Sequence, residues 1–212
     1  MFVVSCVMRG RALTLRCMLA AVLTAALAAC ASTQEKIAET AAVRVQDDSF
    51  LPYREFTTGV LQGGDSLTWT QGLSQKLLAA RVDRKTGAAE FFLQFNLVYV
   101  NDAKRGYESV RNAKAQLLKL VSIKSRKSRC SRKSDSCIVN ETLQIFLPEQ
   151  DLRQVTQGGY PVKLFARSGP HVQIDIPKAW IDSILAKVDA DNRGTVAATA
   201  TAQPAVQSAA AR

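Results

Sequence analysis

Alternating apolar and polar residues define the clearest element of the chain, a strand over Glu90–Val100. Its apolar positions fall on one face and its polar positions on the other: Phe91, Leu93, Phe95, Leu97 and Tyr99 against Gln94 and Asn96. The apolar segment Leu77–Val82 precedes it across the polar turn Asp83–Gly87, where glycine can adopt a positive φ. The pattern predicts an antiparallel hairpin with one face on the core.

Four further segments indicate more β-structure. Tyr107–Arg111 and Leu117–Ile123 flank a short polar turn, which predicts a second hairpin. Ile138–Leu147 and Tyr160–Ala166 have the apolar content of further strands.

A local repeat in the last third predicts two strand-then-helix units. Leu143–Pro148 is echoed by Val172–Pro177, and each is followed by a short amphipathic segment. Proline suits the first position of a helix, where its missing N–H has no intrahelical partner to lose. We therefore expect an α+β, mainly β fold: antiparallel β-hairpins forming a sheet or sandwich-like domain, with two short helices in its last third.

The first thirty residues have the layout of a secretory signal. Arg9, Arg11 and Arg16 give a basic lead, and Cys17–Ala29 is an uncharged stretch rich in Ala and Leu. As a helix this stretch would span roughly 20 Å, short of the ~30 Å hydrocarbon core, which disfavours a permanent transmembrane helix. The residues before the arginines are atypical of a signal, so we expect Met8 rather than Met1 to be the translation start.

The signal ends in Leu27-Ala28-Ala29-Cys30, which resembles the lipobox of bacterial lipoproteins. This resemblance, to proteobacterial lipoproteins that face the periplasm, implies that residues 1–29 are removed and that Cys30 carries the lipid. Asp directly after the cysteine would favour the inner membrane in that family, and Ala31 implies the outer membrane instead. The alternative is an ordinary signal-peptidase site near the same alanines.

Domain boundaries follow from these segments and from composition. We expect a lipidated N-terminus and tether over 30–49 and a single β-rich domain over 50–190. Residues 191–212 are rich in Ala and Thr and show no apolar periodicity, so a disordered tail is expected.

The expected role of each cysteine depends on the cellular compartment in which the mature protein lies. Cys6 and Cys17 leave with the signal and Cys30 is acylated, so Cys130 and Cys137 remain as a pair. A pair in the oxidising periplasm favours a disulfide, with two free thiols or half a metal site as alternatives. The sole histidine cannot complete a four-ligand zinc site with them, so no metal is expected.

Positive charge is concentrated in one block. The signal removes three of the 28 basic residues and none of the 18 acidic ones, so the mature chain stays basic. Lys104–Lys133 contains eleven basic residues and one acid, Glu108. The candidate anion-binding residues lie at the end of this block: Lys124, Arg126, Lys127, Arg129, Arg132 and Lys133.

The basic block suggests contact with anionic lipid, lipopolysaccharide or a cell-wall polymer, since each cation near an anionic surface contributes about 1 kcal/mol. The alternative is a solvated hairpin tip kept from aggregating by its charge. A second hypothesis is an accessory subunit of an envelope complex, using the apolar face of the Phe91–Tyr99 strand or the helix of Trp180. Nucleic acid is disfavoured by the compartment and by the lack of stacking aromatics from Lys119 to Lys133.

Catalytic motifs are missing from the sequence. Gly72–Lys76 lacks the last glycine of a nucleophile elbow, and Gly63-Gly64-Asp65 lacks the spacing and lysine of a phosphate-binding loop. His171 follows Gly169-Pro170 in an expected turn, where a surface histidine is far commoner than a catalytic base. The sequence therefore predicts a non-enzymatic protein without a cofactor.

Overall fold

A computed structural model describes residues 35–62, 71–101, 104–128, 130 and 137–201 of the 212-residue chain. These residues form two antiparallel sheets and three helices, which confirms the expected fold class, α+β and mainly β. Among the helices in these ranges, none has the length and apolar character needed to cross a membrane.

The larger sheet contains the long strands. Its members are β1 (Arg44–Gln46), β2 (Tyr53–Thr57), β3 (Leu61–Gln62), β4 (Gln71–Asp83), β5 (Ala89–Asn101), β8 (Leu120–Ser128) and β9 (Cys137–Leu147). Their spatial order is β1-β2-β4-β5-β9-β8, with β3 also paired to β4.

The smaller sheet and the helices complete the fold. The sheet consists of β6 (Tyr107–Asn112), β7 (Leu117–Leu118), β10 (Tyr160–Ala166) and β11 (Val172–Ile176), in the order β11-β10-β6-β7. The helices are α1 (residues 35–40), α2 (Glu149–Arg153) and α3 (Lys178–Thr201).

The predicted hairpin over Leu77–Val82 and Glu90–Val100 is confirmed as β4 and β5. Gly87 has φ of 70°, and Asp83 Oδ1 accepts hydrogen bonds from the backbone N–H groups of Lys85 and Thr86 within the turn. The five alternate apolar residues of β5, from Phe91 to Tyr99, are all buried. We call the side of the larger sheet that carries them its inner face.

The smaller sheet and α3 share the core with this inner face. Trp180, Ile181, Ile184 and Val188 repeat at helical spacing along α3 and are almost completely buried. They belong to one hydrophobic cluster with the inner residues of β4, β5 and β9 and with β6, β10 and β11. The two apolar faces considered for a protein partner, on β5 and on α3, are therefore inside the domain.

The second predicted hairpin is only partly correct. β6 and β7 pair as expected, with Val110 opposite Leu118. The rest of Leu117–Ile123 does not extend that hairpin, because the chain crosses to the larger sheet at Lys119 and continues as β8 along β9. The carbonyl of Lys119 already accepts the N–H of Phe146 in β9, so the crossover takes a single residue.

The two strand-then-helix units are present, with one change at the prolines. Pro148 is the N-cap of α2, in an extended conformation, so it precedes the first helical residue instead of occupying it. Pro177 likewise precedes α3. α3 continues to Thr201, beyond the expected domain end near residue 190, and residues 202–212 of the expected tail lie outside the described residues.

Residues 35–49 belong to the fold, which corrects the expected tether over 30–49. Val45 in β1 pairs with Phe56 in β2, and the N–H of Gly59 donates to the carbonyl of Thr40 over 2.8 Å. Trp180 Nε1 of α3 donates to Thr40 Oγ1 over 3.1 Å. The signal, the lipobox and Cys30 lie in residues 1–34, outside the described part.

Replacing Thr40 with valine should lower the free energy of unfolding by about 1–3 kcal/mol, because the buried indole N–H of Trp180 loses its acceptor. Chemical denaturation measures the loss. Thr40→Ser keeps the hydroxyl and is the matched control. Equal stability of the valine and serine variants would show that this hydrogen bond is unimportant.

Gly159→Ala should destabilise the protein more than Gly158→Ala. Both glycines have positive φ, 109° and 77°, but a Cβ at position 159 would lie 2.4 Å from the carbonyl oxygen of Ile176, whereas a Cβ at 158 meets nothing within 4 Å. We expect about 1–2 kcal/mol of strain at 158 and more than about 3 kcal/mol at 159. Denaturant midpoints compare the two variants, and similar losses would contradict this contact.

Candidate functional site

The predicted anion-binding residues are divided between β8 and the segment after it. Lys124, Arg126 and Lys127 lie in β8, which is the edge strand of the larger sheet. The other three predicted residues, Arg129, Arg132 and Lys133, lie outside the described residues. Among the described residues, no strand pairs with β8 on the side away from β9.

A β-bulge sets which way the cations of β8 point. The register shifts between Ser122 and Lys124, so that Lys124 lies opposite Thr142 and Arg126 opposite Asn140. Residues opposite each other in a ladder share a face. Thr142 and Asn140 alternate with the buried inner residues of β9, so Lys124 and Arg126 lie on the outer face.

Lys119 extends this outer row toward the other end of β9. Its Nζ lies 4.1 Å from the ring centroid of Phe146, which shares the outer face with Thr142 and Asn140. We call Lys119, Lys124 and Arg126 the basic edge. All three side chains are exposed, and within the described ranges no carboxylate forms an ion pair with any of them.

Lys127 belongs to the opposite side of β8. It lies opposite Val139, a buried inner residue of β9, and the next inner position holds Ser125 opposite Glu141. Ser125 Oγ donates to Glu141 Oε1 over 3.3 Å, and Glu141 is only 5% exposed. The structure therefore does not align Lys127 with the basic edge, although the sequence prediction grouped them.

The predicted disulfide between Cys130 and Cys137 is present. It joins the chain just beyond the end of β8 to the first residue of β9, at the base of the connection that carries Arg132 and Lys133. Within the residues that the structure describes, no three His, Cys, Asp or Glu side chains gather as a metal site would need.

Removal of this disulfide should lower the free energy of unfolding by about 2–3 kcal/mol, because the closed loop is short. A Cys130→Ser/Cys137→Ser variant, compared with the parent by denaturation, gives the value. A reducing agent should weaken the parent and leave the variant unchanged. If the reducing agent leaves the free energy of unfolding of the parent unchanged, the prediction is wrong.

A cleft of about 260 Å³ lies at one end of the inner face, and the sequence analysis did not identify it. It is bounded by the ends of β4 and β5, by the residue Arg105 before β6, and by the start of β11. Its apolar lining comes from Leu73, Leu97, Val172 and the ring of Tyr99. His171 lines the cleft and is exposed, and its Nδ1 lies 3.4 Å from the backbone N–H of Ala166, which donates to it.

Arg105 is held in this cleft by two tyrosines. Its backbone N–H donates to Tyr99 Oη over 3.0 Å, and its guanidinium lies 4.2 Å from the centroid of the Tyr99 ring. Its Nη1 also donates to Tyr107 Oη over 3.4 Å. Burial raises the pKa of Tyr99 and of Tyr107 above the ordinary tyrosine value, so both phenols stay neutral and can accept these bonds.

Another buried polar cluster has a structural role. Asp151 of α2 accepts hydrogen bonds from Asn112 of β6, Tyr160 of β10 and Lys114, each over 3.1 or 3.2 Å. Burial opposes ionisation of Asp151, but the bonds from Lys114 and Tyr160 outweigh it and hold its pKa below the ordinary value. The cluster joins α2 to the smaller sheet.

The candidate residues thus fall in two separate places. The basic edge lies on the outer face of the larger sheet, and the Arg105 cleft opens from the inner face near β4 and β11. The residues of the Arg105 cleft come from segments distant along the chain, so no single local motif joins them, whereas the basic edge comes from one short stretch, residues 119–126. No protein-family model, no curated protein and no solved structure matches this chain.

Proposed function

We propose that this protein is a non-enzymatic lipoprotein of the outer membrane, anchored through Cys30 and facing the periplasm. Its β-rich domain binds an anionic envelope component through the basic edge and the disulfide-closed connection after β8. The observation that carries this proposal is the exposed, unpaired row of Lys119, Lys124 and Arg126 on an edge strand, within the described part of the chain.

The surroundings of the basic edge support attraction to anions. Its neighbours across the ladder, Thr142 and Asn140, are neutral, so among the described residues no carboxylate lies opposite its strand cations on the outer face. Each Lys or Arg near an anionic surface contributes about 1 kcal/mol. Arg129, Arg132 and Lys133 follow directly in the sequence, and the disulfide ties together the two ends of the segment that holds the last two.

The length of the N-terminal link supports a position close to the membrane. Residues 31–34 alone separate Cys30 from the first described residue of α1. An extended chain advances at most ~3.6 Å per residue, so this link reaches less than about 20 Å. Electrostatic attraction to lipid headgroups decays over a Debye length of about 8 Å at physiological salt, so contact requires the domain to turn its β8 edge, which lies opposite β1 in the sheet, toward the membrane.

Charge reversal at the basic edge tests the proposal. Lys124→Glu/Arg126→Glu should weaken binding to vesicles containing phosphatidylglycerol by about tenfold or more at low salt, and added salt should reduce the difference. Vesicle co-sedimentation measures the affinity.

The matched control is Arg111→Glu/Lys163→Glu, which reverses two exposed cations paired across β6 and β10 of the smaller sheet. It changes net charge equally but leaves the basic edge intact, so it should bind nearly as the parent does. Equal weakening of vesicle binding by both double variants would show that the effect depends on net charge alone. Vesicle binding that depends on neither salt nor the basic edge would contradict the proposal.

A further inference from the structure

We propose that the cleft at the end of the inner face is a binding site for a small organic carboxylate, held by the guanidinium of Arg105. The site is separate from the basic edge, and it stands whether or not that edge binds an anion. Its ligand class follows from the one buried cation that lines the cleft and from the apolar walls around it.

Arg105 is a buried cation with no carboxylate partner among the described residues. It is only 5% exposed, yet within the described residues no Asp or Glu forms an ion pair with it. A charge removed from water is costly unless it is paired, so an anion bound in the cleft would lower this cost. Glu141, buried nearby, influences Tyr99 and Tyr107 electrostatically but does not reach the guanidinium.

The guanidinium has hydrogen-bonding capacity left for a ligand. Arginine has five side-chain N–H donors, and the only side-chain bond that Arg105 makes among the described residues is the one to Tyr107 Oη at 3.4 Å. Arg105 lines the cleft, so its remaining donors are available to a ligand bound there. A carboxylate can accept two of these bonds in parallel, which suits the planar guanidinium.

The walls of the cleft select an organic anion over an inorganic one. Leu73, Leu97 and Val172 offer apolar surface to the body of a ligand, and the Tyr99 ring already stacks under the guanidinium. Phosphate or sulfate would have to give up its hydration against these walls. The volume of about 260 Å³ lies just below the ~300–1,000 Å³ of drug-sized sites, which favours a molecule of modest size.

Paired acids and amides test the proposal on the folded parent protein. Benzoate and hexanoate should bind with millimolar or tighter affinity, while benzamide and hexanamide, of nearly the same shape but uncharged, should bind at least about tenfold more weakly. Amide NMR titration measures the affinity and shows the location. The saturating shifts should occur at Gly72, Val172 and Gln173, which line the cleft, and not along β8.

Substitutions of Arg105 provide a second test of the proposal. Arg105→Met should weaken benzoate binding about tenfold or more, and Arg105→Lys, which keeps the charge without the planar fork, should be intermediate. Arg44→Met removes an exposed arginine of β1 as the matched control and should bind as the parent does. Failure of both acids to bind, equal binding of acids and amides, or shifts confined to β8 would each overturn the proposal. The ligand titrations of the parent protein test the proposal even where a variant fails to fold.

Discussion

The alternate apolar residues of β5 must be buried, and the rest of the structure depends on this requirement. A strand whose five inner side chains are Phe, Leu, Phe, Leu and Tyr must have that whole face covered, since exposing it would cost about 1.5–3 kcal/mol per large side chain. β4 and β9 flank the strand, while the smaller sheet and α3 close over its inner face. The N-terminal segment completes the cover where Thr40 meets Trp180.

The elements that sequence reasoning identified are those specified by local pattern. The β4–β5 hairpin has a clear period of two and a turn with Asp83 and Gly87, and both strand-then-helix units carry a proline at the junction. The errors concern partners that are remote in sequence. β1 is three exposed residues long with no periodicity to detect, and its place in the fold depends on pairing with β2. β8 could pair with β6 or β9 on pattern alone, and only the assembled sheets decide between them.

The two candidate sites also differ in how far the sequence predicted them. The composition of the basic block pointed to Lys124 and Arg126, but no composition separates them from Lys127, because a bulge assigns the faces. Arg105 counted as one more member of that block. Its burial depends on Tyr99, on Tyr107 and on the start of β11, which come together only in the folded chain. Charge therefore predicts a region, and packing decides which charges meet solvent and which line a cleft.

The bulge at Ile123 makes the spacing of β8 as important as its composition. If the strand paired without the bulge, Ile123 would lie opposite Thr142 and Lys124 opposite Glu141, so Lys124 and Arg126 would turn toward the inner face while every basic side chain was retained. Substitution of one cation by another would change much less. A change of length that shifts Lys124 and Arg126 by one position against β9 should thus be tolerated far less well over evolution than exchanges of Lys for Arg, even though the strand lies at an exposed edge.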